Sequence, residues 1–123
     1  MIHLDTSFLI RALATGTPED ERLRSWVAEG ETIAISSIGW AELLCGPLSS
    51  ADLALARLFI GRCVDFKQDH AVLAAQLFNE SGRRRSTLAD CMIAAAVLCD
   101  DAPIATANVA DFERFAAAGL TIA

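Results

Sequence analysis

The chain lacks the spacings that mark several common small-protein chemistries. It has four cysteines, Cys45, Cys63, Cys91 and Cys99, but no C-x-x-C pair. Its only histidines, His3 and His70, are not spaced as zinc ligands, so the usual zinc frameworks are excluded. Cys91 and Cys99 lie in an apolar helical run and read as small core residues, which fits a reduced compartment. The longest uninterrupted apolar stretch, Cys91 to Cys99, falls far short of the roughly 20 residues a membrane span needs. The segment MIHLDTSFLI carries an acid at position 5 and no basic leader, against a secretory signal. No repeat, low-complexity tract or linker interrupts the sequence. The expectation is a soluble, cytoplasmic protein with no membrane association.

With 123 residues, 54% of them apolar, the chain suits one domain over residues 1–123, with a core that needs no disulfide or structural metal. The net charge is −6, from ten basic and sixteen acidic residues. That balance is awkward for a partner rich in phosphate. Nine of the ten basic residues are Arg, the better phosphate fork, and Lys67 is the single lysine. Cations bound by a cluster of acids would offset much of the excess.

Residues 2–4 read as a strand ended by Asp5, and residues 7–13 as a helix. Pro18 with Glu19, Asp20 and Glu21 opens a second helix to about Glu29, stopped by Gly30. A strand follows at 32–35. Ser36 or Ser37 then caps a helix to about Cys45, ended by Gly46-Pro47. Ser50 starts a helix through Ile60, residues 63–66 form a short strand, and Asp69 to Ser81 is helical before Gly82. Ser86 or Thr87 opens a helix to Cys99. A strand at 103–105, a helix at 109–117 and a strand at 120–122 complete the chain. Short apolar strands alternating with helices indicate an α/β fold with a mainly parallel central sheet flanked by helices. Ligand sites in such sheets lie beyond the carboxyl ends of the strands. Asp5 and the segment after Ala105 fall there.

Four carboxylates stand out, each with a structural alternative. Asp5 is either the N-cap of the 7–13 helix or a metal ligand, with Thr6 or Ser7 as supporting donor. Glu42 lies mid-helix with Ile38, Gly39 and Cys45 on its face, so it points inward to a partner or sits at an edge and reaches water. Asp90 shares a face with Ile93, Ala94 and Val97, and Thr87 to Asp90 also has capping-box spacing. Asp111 follows Asn108 as an acid follows a cap, favourable to the helix dipole, and Asn108 competes with it for a place in any site. Magnesium wants oxygen ligands, and paired metal ions roughly 4 Å apart activate water for phosphodiester cleavage. Four clustered carboxylates suit that task; without a cation they would repel one another. Arg83, Arg84 and Arg85, ahead of the Asp90 helix, and Arg11, after Asp5, are candidate RNA contacts or solvated charges. Trp26 and Trp40 read as core residues, and neither histidine has an obvious catalytic partner.

In order along the chain stand Ile2-His3-Leu4-Asp5-Thr6-Ser7, Ser36-Ser37-Ile38-Gly39-Trp40-Ala41-Glu42-Leu43 with Gly46, Asp90-Cys91-Met92-Ile93-Ala94-Ala95, and Ala105-Thr106-Ala107-Asn108 with Asp111-Phe112. Each piece alone is weak, but the four in this order resemble the PIN-domain ribonucleases, specifically the VapC toxins of VapBC toxin–antitoxin modules. The resemblance covers nearly the whole chain. It implies a parallel-sheet α/β sandwich and a Mg²⁺- or Mn²⁺-dependent endoribonuclease. It also implies that Asp5, Glu42, Asp90 and the Asn108/Asp111 region hold the metal, with Thr6 and Thr106 in supporting hydroxyl positions. Further implications are a homodimer, an RNA substrate and a VapB-type antitoxin whose C-terminal segment covers the site. The fourth acid varies in position within the family, which bears on Asp111.

The helix at 50–60 carries Leu53, Leu55, Leu58, Phe59 and Ile60, more apolar surface than one core-facing stripe uses. With the 69–81 helix it suits either an antitoxin groove or burial within the domain. One rival reading is a PIN-like domain without catalysis that serves as a binding module, which four filled acidic positions weigh against. A phosphoacceptor receiver domain is disfavoured because Asp5 is followed by Thr and no Lys stands near the end of the sheet. A phosphatase using Asp5 as nucleophile would want an acid at position 7, where Ser7 stands.

Overall fold

The computed structural model describes residues 1–123. The elements in chain order are β1 (Ile2–Leu4), α1 (Thr6–Ala12), α2 (Pro18–Ala28), β2 (Ile33–Ser36), α3 (Ser37–Cys45), α4 (Ser50–Phe59), β3 (Arg62–Val64), α5 (Gln68–Glu80), α6 (Leu88–Cys99), β4 (Ile104–Ala105) and α7 (Val109–Glu113). The four strands form one parallel sheet in the order β3-β2-β1-β4. The chain builds outward from β1 through β2 to β3, then crosses back to place β4 on the other side of β1. The strand order therefore reverses between β1 and β4, and the crevice beyond their carboxyl ends is where such sheets bind ligands.

The alternation of side chains fixes the two layers. Ile2, Leu4, Ile33 and Ile35 face α1 and α2 and pack with Phe8, Leu9 and Leu23. Ile104 faces the other way, against Ala74 and Leu77 of α5 and the nearly all-apolar α6. Cys91 and Ile93 to Val97 are all buried, as expected of a helix apolar around most of its circumference. His3 is also buried, and its Nε2 lies 2.7 Å from Asp100 at the end of α6. Burial holds its pKa below the ordinary value, against the pull of Asp100.

Several element ends differ from the sequence reading. The 109–117 helix stops at Glu113, and a separate 3-10 turn covers Ala116–Ala118. Phe112 and Phe115 are both buried, three residues apart, and the Phe115 amide bonds the Phe112 carbonyl, which tightens the chain out of the α form. The strand at 120–122 reduces to a single bridge, Ile104 to Ile122. Cys99 is exposed rather than in the core, because it sits at the open end of α6; all four cysteines are free. Trp26 and Trp40 are half-buried against the core. On α4 only Ala56 is buried; Leu55, Phe59 and Ile60 pack partly on the core, while Leu58 is 82% exposed. No helix is long and apolar enough to cross a membrane.

Candidate metal centre

Asp5 stands at the carboxyl end of β1, buried, and Thr106 stands beside it just past β4. Asp5 occupies the N-cap position of α1, yet its side chain makes no capping bond. Instead the Ser7 hydroxyl donates to Asp5 Oδ2 at 2.6 Å and the Thr106 hydroxyl donates to the same oxygen at 2.9 Å. Each hydroxyl is itself oriented by a backbone donor, Ala107 N–H to Ser7 and Asn108 N–H to Thr106. Both bonds land on Oδ2, so Oδ1 has no protein donor. Asp5 therefore holds the N-cap position of α1 without capping it through its side chain.

The alternatives for the other acids divide: Asp111 does lie in the first turn of α7, as the dipole alternative has it, while the capping box of Asp90 does not form. Thr87 spends its hydroxyl on the Arg84 carbonyl at 2.7 Å, and α6 has no side-chain cap, so Asp90 is not part of a capping box. Asn108 holds the N-cap position of α7 without a side-chain bond. It is exposed and reaches the site through its backbone N–H.

The four carboxylates share one electrostatic neighbourhood. Asp90 is pushed up to about 6, first by burial and then by the Asp5 charge, with Asp111 adding to the rise and Arg114 opposing it. Glu42 is also raised, by partial burial and then by Asp5 and Asp90. Asp5 is the common neighbour, and Asp111 joins through Asp90. Glu42 does not point into the core as a lone buried charge; it lies at an exposed position on α3. The edge alternative describes its solvent access, and the raised pKa describes its company.

As the side chains stand, no three His, Cys, Asp or Glu groups converge tightly enough to grip an ion. Asp90 is turned toward Arg114, whose guanidinium donates to its Oδ2 at 3.1 Å. The donor set nevertheless fits a hard divalent cation. It is all oxygen, it contains no imidazole or thiol, it includes the undonated Oδ1 of Asp5, and only Arg114 is paired to it as a positive charge.

The remaining sequence candidates divide. Thr6 donates to the Gly39 carbonyl at 3.0 Å, tying α1 to the start of α3, and lies close enough to Glu42 to oppose its rise in pKa. Thr106 is the direct support of Asp5. Arg11 pairs with Glu19 at 3.5 Å. Arg83, Arg84 and Arg85 are exposed, and Arg83 bonds Asn79 at 3.0 Å. Arg114 went unread in the sequence; its position three residues after Asp111 puts both on one face and was the available signal.

The sequence profile of the PIN domain family matches residues 2–118. No curated protein matches the sequence. Among solved structures, VapBC2 from Rickettsia felis bound to a DNA fragment from its promoter is 23% identical over all of this chain and 98% of that chain, with a TM-score of 0.76. DNA-bound VapBC from Salmonella typhimurium is 23% identical over 99% of this chain and 96% of that chain, with a TM-score of 0.74. A toxin–antitoxin complex from Klebsiella pneumoniae is 24% identical over 91% and 90%, with a TM-score of 0.73. At this identity the likeness establishes the fold.

Proposed function

The chain belongs to the PIN domain family, and from that premise we propose that it is a Mg²⁺- or Mn²⁺-dependent endoribonuclease acting as the toxin of a toxin–antitoxin pair. The observation that carries the reading is the placement of Asp5. It is a buried carboxylate at the sheet's switch point, fixed by two hydroxyls through one oxygen, and its charge raises both Glu42 and Asp90.

When bound, the cation supplies Lewis acidity, lowering the pKa of a water and stabilising charge on the phosphodiester. Asp5, whose Oδ1 has no protein donor, would anchor the cation. Asp90 would hold the cation as a carboxylate, with Arg114, which donates to its Oδ2, remaining at the rim of the site. Glu42, solvent-accessible, would complete the oxygen shell or orient the water. Asp111 completes the negative rim. No side chain here is arranged for covalent catalysis: Ser7 spends its hydroxyl on Asp5.

The same reading includes a partner. The similar structures from Rickettsia, Salmonella and Klebsiella are complexes by their descriptions. An apolar cleft of about 360 Å³ lined by Ile10, Leu13, Leu43 and Leu48 supports the docking of an antitoxin segment; a homodimer is part of the proposal on the family resemblance alone.

The test is cleavage of an unstructured RNA with Mg²⁺, with EDTA, and by Asp5→Asn. Cleavage by wild type that falls to background in both other arms is the expected result, with far-UV circular dichroism showing that the variant is folded. Equal background in wild type and variant would leave a non-catalytic binding module instead.

A further inference from the structure

A second cavity, of about 450 Å³, opens between the end of α5 and the 116–118 turn. Its floor is apolar, from Leu77 and Phe115, its wall is Ala117 and Ala118, and its rim carries Glu80 and Arg114. Arg114 is therefore shared: the same side chain lines this cavity and bonds Asp90 at 3.1 Å. The cavity lies one side chain away from the acidic site.

Three features define what fits. The Arg114 guanidinium lies 4.9 Å from the centroid of the Phe115 ring, so the ring and Asp90 both restrain a planar cation at the cavity edge. Such a plane is a stacking surface for an unpaired base. Glu80, on the same rim, repels phosphate and accepts hydrogen bonds, so it favours a donating base edge over a backbone oxygen. Arg84 and Arg85 are exposed just beyond the turn after α5, where Gly82 and Arg83 have positive φ of 98° and 59°.

We propose that this cavity is a base-recognition subsite. It takes the unpaired nucleobase next to the cleaved phosphate, stacked on Arg114, with its Watson–Crick edge donating to Glu80. Guanine suits it best, because it presents two adjacent donors to a carboxylate. Uracil presents one donor between two carbonyl oxygens. The proposal rests on the RNA-cleaving reading above.

The experiment titrates ¹⁵N-labelled protein in EDTA with GMP and with UMP, reading amide shifts, alongside end-mapping of products from an unstructured RNA with Mg²⁺. GMP is expected to shift the amides of Ser81, Ala117 and Ala118 at lower concentration than UMP. Filling the cavity with Ala117→Phe should weaken GMP by about tenfold, and Glu80→Gln should cut the GMP preference by about fivefold or more. The cleavage-site preference should weaken in Glu80→Gln as well. Wild type that cleaves RNA yet shows no GMP shift at these amides, or variants whose GMP affinity and GMP preference match wild type, overturns the subsite and leaves the nuclease reading intact. GMP binding here by a wild type that does not cleave overturns the nuclease reading instead.

Discussion

At Asp90 three forces meet: burial and the charge of Asp5 favour the protonated acid, while Arg114 favours the carboxylate. The first two win, and the group titrates at about 6 instead of its ordinary 3.8. The folded state therefore binds this proton more tightly than the unfolded chain. The stability it contributes is full below about 3.8 and is lost as pH rises through about 6. The side chain is 26% exposed, and the shift corresponds to at most about 3 kcal/mol. Asp90→Asn should thus be more stable than wild type by about 1–3 kcal/mol in EDTA at pH 8 and nearly equal to it at pH 3.5. Urea midpoints at the two pH values check this. A gain in stability with loss of cleavage is what a site strained by its own like charges produces. Asp5 stood out in the sequence as a carboxylate at a strand end and Asp90 as one on an apolar helix face, while Asp111 had only its place after a strand and a cap. What sequence left open was whether caps explained them. Hydroxyl partners decided that for Asp5 and Asp90, and a one-residue pattern does not encode where Thr87 or Thr106 sends its proton.

Between elements, the start of α3 matters because it carries Glu42. Ser36 ends β2 and caps α3, its Oγ accepting from the Gly39 N–H at 3.0 Å while buried. Gly39 sits where a Cβ would meet Ile35 Cγ1 at 3.1 Å, and its carbonyl receives the Thr6 hydroxyl from α1. The cap thus sets the angle at which α3 leaves the sheet. Ser36→Ala should cost about 1–2 kcal/mol and also lower Mn²⁺ affinity. Thr17→Ala, which removes the corresponding cap of α2, should cost a similar amount and leave Mn²⁺ affinity unchanged. Urea melts read the first quantity and Mn²⁺ titration by electron paramagnetic resonance reads the second. Equal effects of both on metal affinity would mean that α3 is not specially coupled to the site. The periodicity of α1 to α6 and the Pro18, Gly30 and Gly82 boundaries were legible because local chemistry sets them. The end of α7 was not, because two buried phenylalanines pull the chain off its helical path through contacts distant in sequence. The face of Glu42 was misjudged because a small-residue face need not be a buried one: Ile38 is half-buried and Cys45 is exposed.

Across the whole molecule, the parallel order and the place of the site follow from strand–helix alternation, but the position of β4 beside β1 does not. That step brings Thr106 to Asp5 across 101 positions and makes the site. The net charge of −6 also belongs to this scale. Any salt screens the mutual repulsion of sixteen acids, whereas a cation held by the site adds binding free energy to the folded state alone. The two effects separate cleanly. Mg²⁺ at about 100 times its dissociation constant should stabilise the fold by about 2.7 kcal/mol, a rise in Tm of about 10 °C for a domain of this size. NaCl of matched ionic strength should give only a small part of that rise. Asp5→Asn, which removes one negative charge and the anchor, should respond to Mg²⁺ and NaCl alike. A Mg²⁺ effect on wild type no larger than that of matched NaCl would show that the four carboxylates act as diffuse charge and not as a binding site.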